Sequence, residues 1–279
     1  MPASTHPPEL HDFTCADFTA SGLTRPVWWT RDDAAPSEAA VVLVCHEVPG
    51  PTPAFLGFIR HLRAEGFRVV TPHLVGEPGR PLDPGHLAGT LGRLCIAREF
   101  RLLAADAESP IASWLRALAT EAGTRWGVTR LGAVGLCLTG NFALGLLLNP
   151  LVVRAVAGQP SLPLPLTPRL ARGLHLTPVD TATIAARLAD PDDPAAALAL
   201  RFTGDPLCPR ARFEALGEAF PTGLTRIELD AALRNPHGHR PLAHATLTVD
   251  LDPTPGSPTA NARDRVVAFL RDGLAPIAP

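Results

Sequence analysis

A cysteine in a glycine-bounded turn is the feature of this sequence that most directly suggests chemistry. The segment from Gly135 to Gly140 reads GLCLTG, with Cys137 at its third position. It follows an apolar run typical of a buried strand and precedes the apolar stretch NFALGLLL, which has helical spacing. In such a nucleophile elbow the reactive residue has a strained backbone, and small residues beside it let strand and helix approach each other. We therefore predict that Cys137 is a nucleophile.

The same turn suggests how the thiol would be activated. At the amino end of a helix a thiol faces the positive end of the helix dipole, which favours the thiolate. The backbone amide of Leu138 would supply one donor of an oxyanion hole. Thr139 stands where the usual pattern has glycine, so the packing must accept a β-branched residue. The alternative for Cys137 is a buried cysteine in an ordinary turn, a frequent environment for this residue type.

An acid and three histidines follow Cys137 in the order nucleophile, acid, histidine that triads of the α/β type require. Asp205 lies in a turn just after a predicted strand, where the acid would orient the histidine and stabilise its cation. Its alternative role is that of a turn former or helix cap. His244 lies about one loop ahead of the last predicted helix and is our preferred base. His239 is the alternative base, and His237 is interpreted as a loop histidine.

A carboxylate follows the first predicted strand of the parallel part. The residues after strand 41–45 read HEVPG, which places Glu47 and Val48 at the end of that strand. Carboxyl ends of parallel strands meet at one edge of a sheet, so Glu47 would face the elbow. The alternative is a strand-end carboxylate that is satisfied by its own loop.

HEVPG and GLCLTG together resemble the dienelactone hydrolase family. That family has a glutamate, two mostly apolar residues and a glycine after its first parallel strand, and a G-x-C-x-G-G-like elbow later. Cys137 lies 90 residues after Glu47, close to the family's layout, and the spacing from His244 to the last helix also fits. The resemblance runs from about Ala39 to Leu270. It implies that the Glu47 carboxylate contacts the thiol and helps control its ionisation, and that the Val48 amide joins the oxyanion hole.

The resemblance also implies the reaction: hydrolysis of an ester or lactone of small-molecule size through a Cys-His-Asp triad, with no metal or organic cofactor. Family members that take anionic dienelactones have an arginine about four residues after the catalytic histidine, where this chain has Thr248. Arg93, Arg98 and Arg101 could bind a carboxylate instead, but a position on a solvated helix face is the preferred account of each. The ligand therefore need not carry the acid group of a dienelactone.

The order of elements predicts the α/β class. Apolar runs at 41–45, 67–71, 131–136, 152–157, 198–203 and 225–229 are interpreted as buried strands. Helical spacing appears at 54–65, about 87–105, 110–126, 138–148, 210–218 and 261–270. This alternation predicts an α/β-hydrolase fold, with a mostly parallel sheet and helices on both faces. Segments 13–19 and 26–30 are predicted as an antiparallel hairpin ahead of it.

Length favours a single domain over 1–279, with one irregular region. The segment at about 158–194 is rich in proline and has only a weak helical stretch at 181–189. It is interpreted either as an insertion beside the site or as a plain surface loop. The sequence gives no basis for assigning an oligomeric state.

Composition argues against several other classes of protein. The net charge of -2, from 25 basic and 27 acidic residues, gives no reason to expect nucleic acid or an anionic membrane as a partner. The chain has no signal-peptide pattern at its start and no apolar run near the roughly 20 residues that span a bilayer. We therefore expect a soluble, cytoplasmic protein. Five scattered cysteines without a C-x-x-C pair predict neither disulfides nor a zinc site.

Two other functions are compatible with the residues. A catalytically degenerate protein of this fold, binding a small molecule or partner without turnover, is suggested by Thr139 and by the choice of histidines. A metal site could draw on scattered sulfur and nitrogen ligands: Cys45, His46, Cys208, His237 and His239. Acyl transfer to an acceptor other than water is also open within the enzyme hypothesis.

Overall fold

The computed structural model describes residues 7, 10–96, 100 and 109–275, and an eight-stranded sheet forms its centre. The strands are β1 (Phe13–Ala20), β2 (Leu23–Thr30), β3 (Val41–Cys45), β4 (Arg68–Pro72), β5 (Leu131–Leu136), β6 (Val152–Gly158), β7 (Ala196–Phe202) and β8 (Leu224–Leu229). Their order is β1-β2-β4-β3-β5-β6-β7-β8. Strands β3 to β8 are parallel, and β1 and β2 form an antiparallel hairpin at the edge beside β4. The predicted hairpin and parallel sheet are confirmed.

Helices cover both faces of this sheet. They are α1 (Pro53–Ala64), α2 (Pro84–Ile96), α3 (Pro110–Trp126), α4 (Gly140–Gly145), α5 (Pro168–Arg172), α6 (Pro178–Ala189), α7 (Arg210–Ala219) and α8 (Pro258–Leu274). Alternate residues of β3 belong to different hydrophobic clusters: Leu43 packs with α3 and α4, whereas Val42 packs with α1 and α8. Side chains of a strand alternate between faces, so the sheet has an apolar layer on each side.

Four helices begin with the same local signal, which the periodicity alone did not locate. A serine or threonine accepts a hydrogen bond from a first-turn amide, and proline is the first helical residue. The pairs are Thr52-Pro53, Thr167-Pro168, Thr177-Pro178 and Ser257-Pro258. Helix α6 therefore starts before the predicted 181, α8 extends beyond the predicted 261–270, and α5 was not predicted.

The predicted helix 138–148 is wrong as a single helix. Two short 3-10 turns, Cys137–Thr139 and Leu146–Leu148, flank the six residues of α4. The tighter turns let this segment connect β5 to β6 with little linker at either end. Of the predicted helix 87–105, the first part lies in α2, and residues 97–99 and 101–108 lie outside the described residues.

The proline-rich segment, residues 158–194, contains α5 and α6 and is held by a buried arginine from α7. Arg212 is 0% exposed and donates hydrogen bonds to five carbonyl oxygens. The acceptors in the segment belong to Pro160, Pro163, Leu170 and Gly173, and Leu207 provides the fifth. Burial lowers the pKa of the Arg212 guanidinium to about 10. This side chain thus ties the segment to the loop after β7.

Arg212→Met should lower the free energy of unfolding by about 3 kcal/mol, because several buried carbonyls would lose their charged donor. Urea denaturation followed by circular dichroism measures the change. Arg210→Met is the matched control on the same helix: Arg210 has 82% of its side chain exposed, and we expect its loss to change stability by less than about 0.5 kcal/mol. Equal effects of the two substitutions would contradict a fixing role for Arg212.

Candidate active site

The turn after β5 has the backbone of a nucleophile elbow. Cys137 has a φ of +56°, in the left-handed region that a non-glycine residue rarely adopts. A β-carbon on Gly135 would lie 2.0 Å from the carbonyl oxygen of Thr139, and one on Gly140 would lie 2.8 Å from the Cα of Pro160. Both glycines are therefore required by the close approach of the chain to itself.

The hydroxyl of Thr139 explains why threonine is accepted where the usual pattern has glycine. It accepts a hydrogen bond from the Leu136 amide at 2.8 Å, and the carbonyl oxygen of Cys45 lies 3.0 Å away as an acceptor. The Thr139 side chain is buried. A β-branched residue at this position thus connects the elbow to the end of β3.

The predicted acid and base are brought together. The Nδ1 atom of His244 donates to Oδ2 of Asp205 over 2.7 Å, and the Asp205 side chain is 0% exposed. The other oxygen, Oδ1, accepts the Leu207 amide at 2.8 Å. Because both carboxylate oxygens are occupied, Asp205 fixes the orientation of the His244 ring.

The other two candidate histidines lie away from Cys137, and His239 is half-buried. His239 contacts the carbonyl oxygen of Asp230 through Nδ1 at 2.6 Å, and its ring packs edge-on against Phe202. His237 is exposed. Neither lines the cavity that contains Cys137 and His244.

The loop that carries His244 is organised by Asp250, a residue that the sequence analysis did not identify. Its Oδ2 accepts the amides of His244 and Ala245 at 2.9 and 3.0 Å. Arg240 donates to Oδ1 at 3.0 Å. A carboxylate six positions after the histidine was the only available signal, and such a spacing is common in loops.

The surroundings of His244 favour its cation. Burial lowers the pKa of His244, but the charge of Cys137 and the hydrogen bond to Asp205 outweigh burial and hold the pKa well above its usual range. The buried Nε2 atom makes no aligned hydrogen bond among the described residues. The side-chain interaction of His244 with Cys137 is a further cause of the raised His244 pKa. The arrangement places an imidazole that favours its cation beside the Cys137 side chain.

Glu47 is buried in a network of neutral partners. Thr248 donates to its Oε1, and Nε2 of Gln159 donates to its Oε2 at 3.2 Å. Gln159 in turn accepts the Thr246 hydroxyl at 2.7 Å. Burial raises the pKa of the Glu47 carboxyl. The resemblance implied contact with the thiol, whereas neither of these two hydrogen bonds of Glu47 goes to Cys137.

A cavity of about 610 Å³ joins the predicted residues. Cys137 and His244 line it together with Val48 and Leu138, the two residues whose amides were predicted to bind an oxyanion. The Val48 amide donates to no acceptor within the described part of the chain. Much of the remaining wall comes from leucine and proline side chains.

The residues proposed for a metal site do not assemble. In residues 10–90 and 109–275, whose side chains the structure describes, no three His, Cys, Asp or Glu side chains are grouped so as to hold a metal ion. Cys15, Cys45, Cys137 and Cys208 are free thiols.

Among the described helices, none is both long enough and apolar enough to span a bilayer. The side chain of Arg93, and both Arg98 and Arg101, lie outside the described residues.

The sheet order, the elbow after β5 and the acid and histidine after β7 and β8 define an α/β-hydrolase fold. No protein-family model matches the chain, and no curated protein matches it. Several solved structures, however, are similar to the chain. A candidate dienelactone hydrolase from Klebsiella pneumoniae is similar over 92% of this chain and 98% of its own, with a TM-score of 0.58 and 18% identity. The similarity that the two motifs indicated is thus confirmed for the fold.

Two further structures show how widely this fold is shared. An esterase from Pyrococcus furiosus aligns over 93% of this chain and 92% of its own, with a TM-score of 0.58 and 12% identity. An alpha-beta serine hydrolase homologue from Coxiella burnetii aligns over 92% and 97%, with a TM-score of 0.51 and 12% identity. At these low sequence identities, the structural similarity establishes the fold alone. The chemistry must be argued from the residues of this chain.

Asp205→Asn should reduce the reactivity of Cys137 at neutral pH. Removing the Asp205 charge and its hydrogen bond lowers the pKa of His244, so His244 is less able to stabilise a thiolate formed at Cys137. We expect alkylation of Cys137 by iodoacetamide near pH 7 to slow by at least about tenfold. Peptide mass spectrometry separates Cys137 from the exposed Cys15. Asp192→Asn, at an exposed position, is the control, and the same rate in both variants would contradict the coupling.

Glu47→Gln should become more stable relative to wild type as pH rises. The folded chain holds the Glu47 pKa above its value in the unfolded chain. The stability contributed by the neutral carboxyl is therefore complete below the unfolded pKa and is lost as pH rises through the folded pKa. Glutamine does not titrate and can donate to the Thr248 hydroxyl.

Urea denaturation at about pH 5 and about pH 8 measures this difference. Glu121→Gln, at an exposed position, should show no such trend. A free energy of unfolding of Glu47→Gln that falls relative to wild type from about pH 5 to about pH 8 would contradict a raised Glu47 pKa.

Proposed function

We propose that this protein is a hydrolase that cleaves an ester or lactone, with Cys137 as nucleophile, His244 as proton carrier and Asp205 as the residue that orients His244. The observation that carries the proposal is the 2.7 Å hydrogen bond from His244 to the fully buried Asp205, in a cavity that also contains the Cys137 side chain. An elbow cysteine, a buried acid and a cavity histidine are the parts that nucleophilic acyl chemistry needs.

In the first half-reaction the Cys137 thiolate attacks the carbonyl carbon of the substrate. The electron pair of the carbonyl moves to its oxygen, and the amides of Val48 and Leu138 stabilise that oxyanion. When the oxyanion collapses, the bond to the leaving oxygen breaks and the His244 imidazolium gives that oxygen a proton. The products of this step are the alcohol, or the opened enol end of a lactone, and a thioester on Cys137.

In the second half-reaction His244 accepts a proton from water, and the resulting hydroxide attacks the thioester carbonyl. The carbon–sulfur bond breaks, the carboxylic acid leaves, and Cys137 returns to the thiolate beside the imidazolium. Esters with good leaving groups suit this cycle, because a thiolate is itself easily expelled from the tetrahedral intermediate.

Glu47 has an indirect part in this proposal. Its buried carboxyl interacts electrostatically with His244, and Thr248 and Gln159 hold it in place. A shift of its proton would therefore alter the balance between neutral and charged forms of the Cys137–His244 pair. Glu47 is thus proposed as a residue that tunes the ionisation of the pair.

The decisive experiment compares hydrolysis of p-nitrophenyl acetate and of a simple enol lactone by wild type and matched variants. We expect Cys137→Ala and His244→Ala to lose at least about a thousandfold in kcat/KM, because members of a triad act as a unit. Cys15→Ala and His239→Ala are the controls, since these side chains lie outside the cavity, and both should keep wild-type rates.

Wild-type activity no greater than that of Cys137→Ala would contradict the proposal. A protein that then bound p-nitrophenyl esters without turnover would match the degenerate binding protein instead. Loss of activity in His239→Ala with retention in His244→Ala would overturn the assignment of the base.

A further inference from the structure

The walls of the cavity are apolar over most of their area. Leu82, Leu87, Leu164, Leu166 and Leu207 surround the Cys137 and His244 side chains, with prolines between them. The remaining polar contributor is Ser161, whose hydroxyl donates to the carbonyl oxygen of Gln159 at 2.8 Å. A substrate that fills this space therefore meets hydrocarbon on nearly every side except at the reacting carbonyl.

Among the described residues of the wall, His244 is the one group that can carry a positive charge, and Asp205 already pairs with it. No lysine or arginine within residues 10–90 and 109–275 lines the cavity. Thr248, four residues after His244, is buried, and its hydroxyl donates to Glu47. A carboxylate that entered would lose its hydration without gaining an unpaired counter-ion from the described wall, which opposes binding.

The mouth of the cavity carries leucines that are exposed to solvent. Leu166 is 70% exposed, Leu82 47% and Leu207 39%. Exposed large apolar side chains that cluster around a cavity mark a surface on which ligands bind. The apolar surface that starts beside Cys137 therefore continues outward to the rim.

We infer that the substrate is an uncharged ester or lactone whose acyl part is an extended apolar chain, packed along the leucine-lined wall from Cys137 to Leu166. The inference rests on the proposed function and adds the substrate class to it. The chain length that reaches the rim should be preferred, because each methylene that enters the cavity leaves water.

A series of p-nitrophenyl esters tests the apolar part. From acetate through butyrate and hexanoate to octanoate, kcat/KM should rise by up to about fourfold for each added methylene. Acetate hydrolysis that depends on Cys137, with kcat/KM flat or falling along the series, would overturn the inference and leave the proposed function standing. Absence of Cys137-dependent hydrolysis for every ester would instead remove the proposed function itself.

A matched pair of esters tests the charge. The p-nitrophenyl monoester of adipic acid has the same acyl length as the hexanoate and ends in a carboxylate at neutral pH. We expect its kcat/KM to be at least about a hundredfold lower than that of the hexanoate. Equal or faster hydrolysis of the adipate ester would show that a cationic side chain lies close enough to bind the carboxylate, and it would overturn the inference.

Substitutions at the rim locate the acyl chain. Leu166→Asp should lower kcat/KM for the octanoate at least about tenfold more than kcat/KM for the acetate, because the longer chain reaches this side chain and the acetyl group does not. Leu233→Asp is the control: Leu233 is 78% exposed and does not line the cavity. Leu166→Arg should specifically improve the adipate ester. Equal effects of Leu166→Asp on acetate and octanoate, or no gain for adipate with Leu166→Arg, would contradict the placement of the chain.

Discussion

The left-handed backbone at Cys137 is the constraint on which the geometry of the cavity depends. A non-glycine residue in that region costs on the order of 1 to 2 kcal/mol, so the surrounding contacts must hold it. Gly135 and Gly140 leave room for the turn, and the Thr139 hydroxyl ties it to the end of β3. The result places the Cys137 side chain at the carboxyl edge of the sheet, where the loops after β3, β7 and β8 converge.

Hydrogen bonds from several loops hold the ionisable side chains at this edge of the sheet. Asp205 is fixed by the Leu207 amide, His244 by Asp205, and the His244 loop by Asp250. A second network of neutral groups surrounds the buried Glu47 carboxyl. The two networks differ in kind: the first stabilises a cation on His244, and the second favours a neutral carboxyl. Such divergent environments allow neighbouring groups to hold different protonation states at one pH.

The sequence predicted those elements that have a local pattern of their own, namely the strands and the turn at Cys137. Apolar runs predicted the strands, since buried parallel strands are apolar on both faces, and the elbow glycines predicted the turn at Cys137. Contacts between distant residues could not be predicted this way. The Thr248 hydroxyl and Glu47 are 201 positions apart, and Asp250 and Gln159 have no local signature. Helix α5 and the division around α4 were missed because such short pieces show no helical period.

The central claim is that an acyl group is carried on Cys137, and rapid acid quenching of the reaction with p-nitrophenyl octanoate followed by peptide mass spectrometry tests it most directly. We predict an octanoyl thioester on the peptide that contains Cys137, formed within the first turnover, removed by later hydrolysis and absent in Cys137→Ala. Turnover without any acyl adduct, or an adduct on another residue that is competent for turnover, would contradict the account.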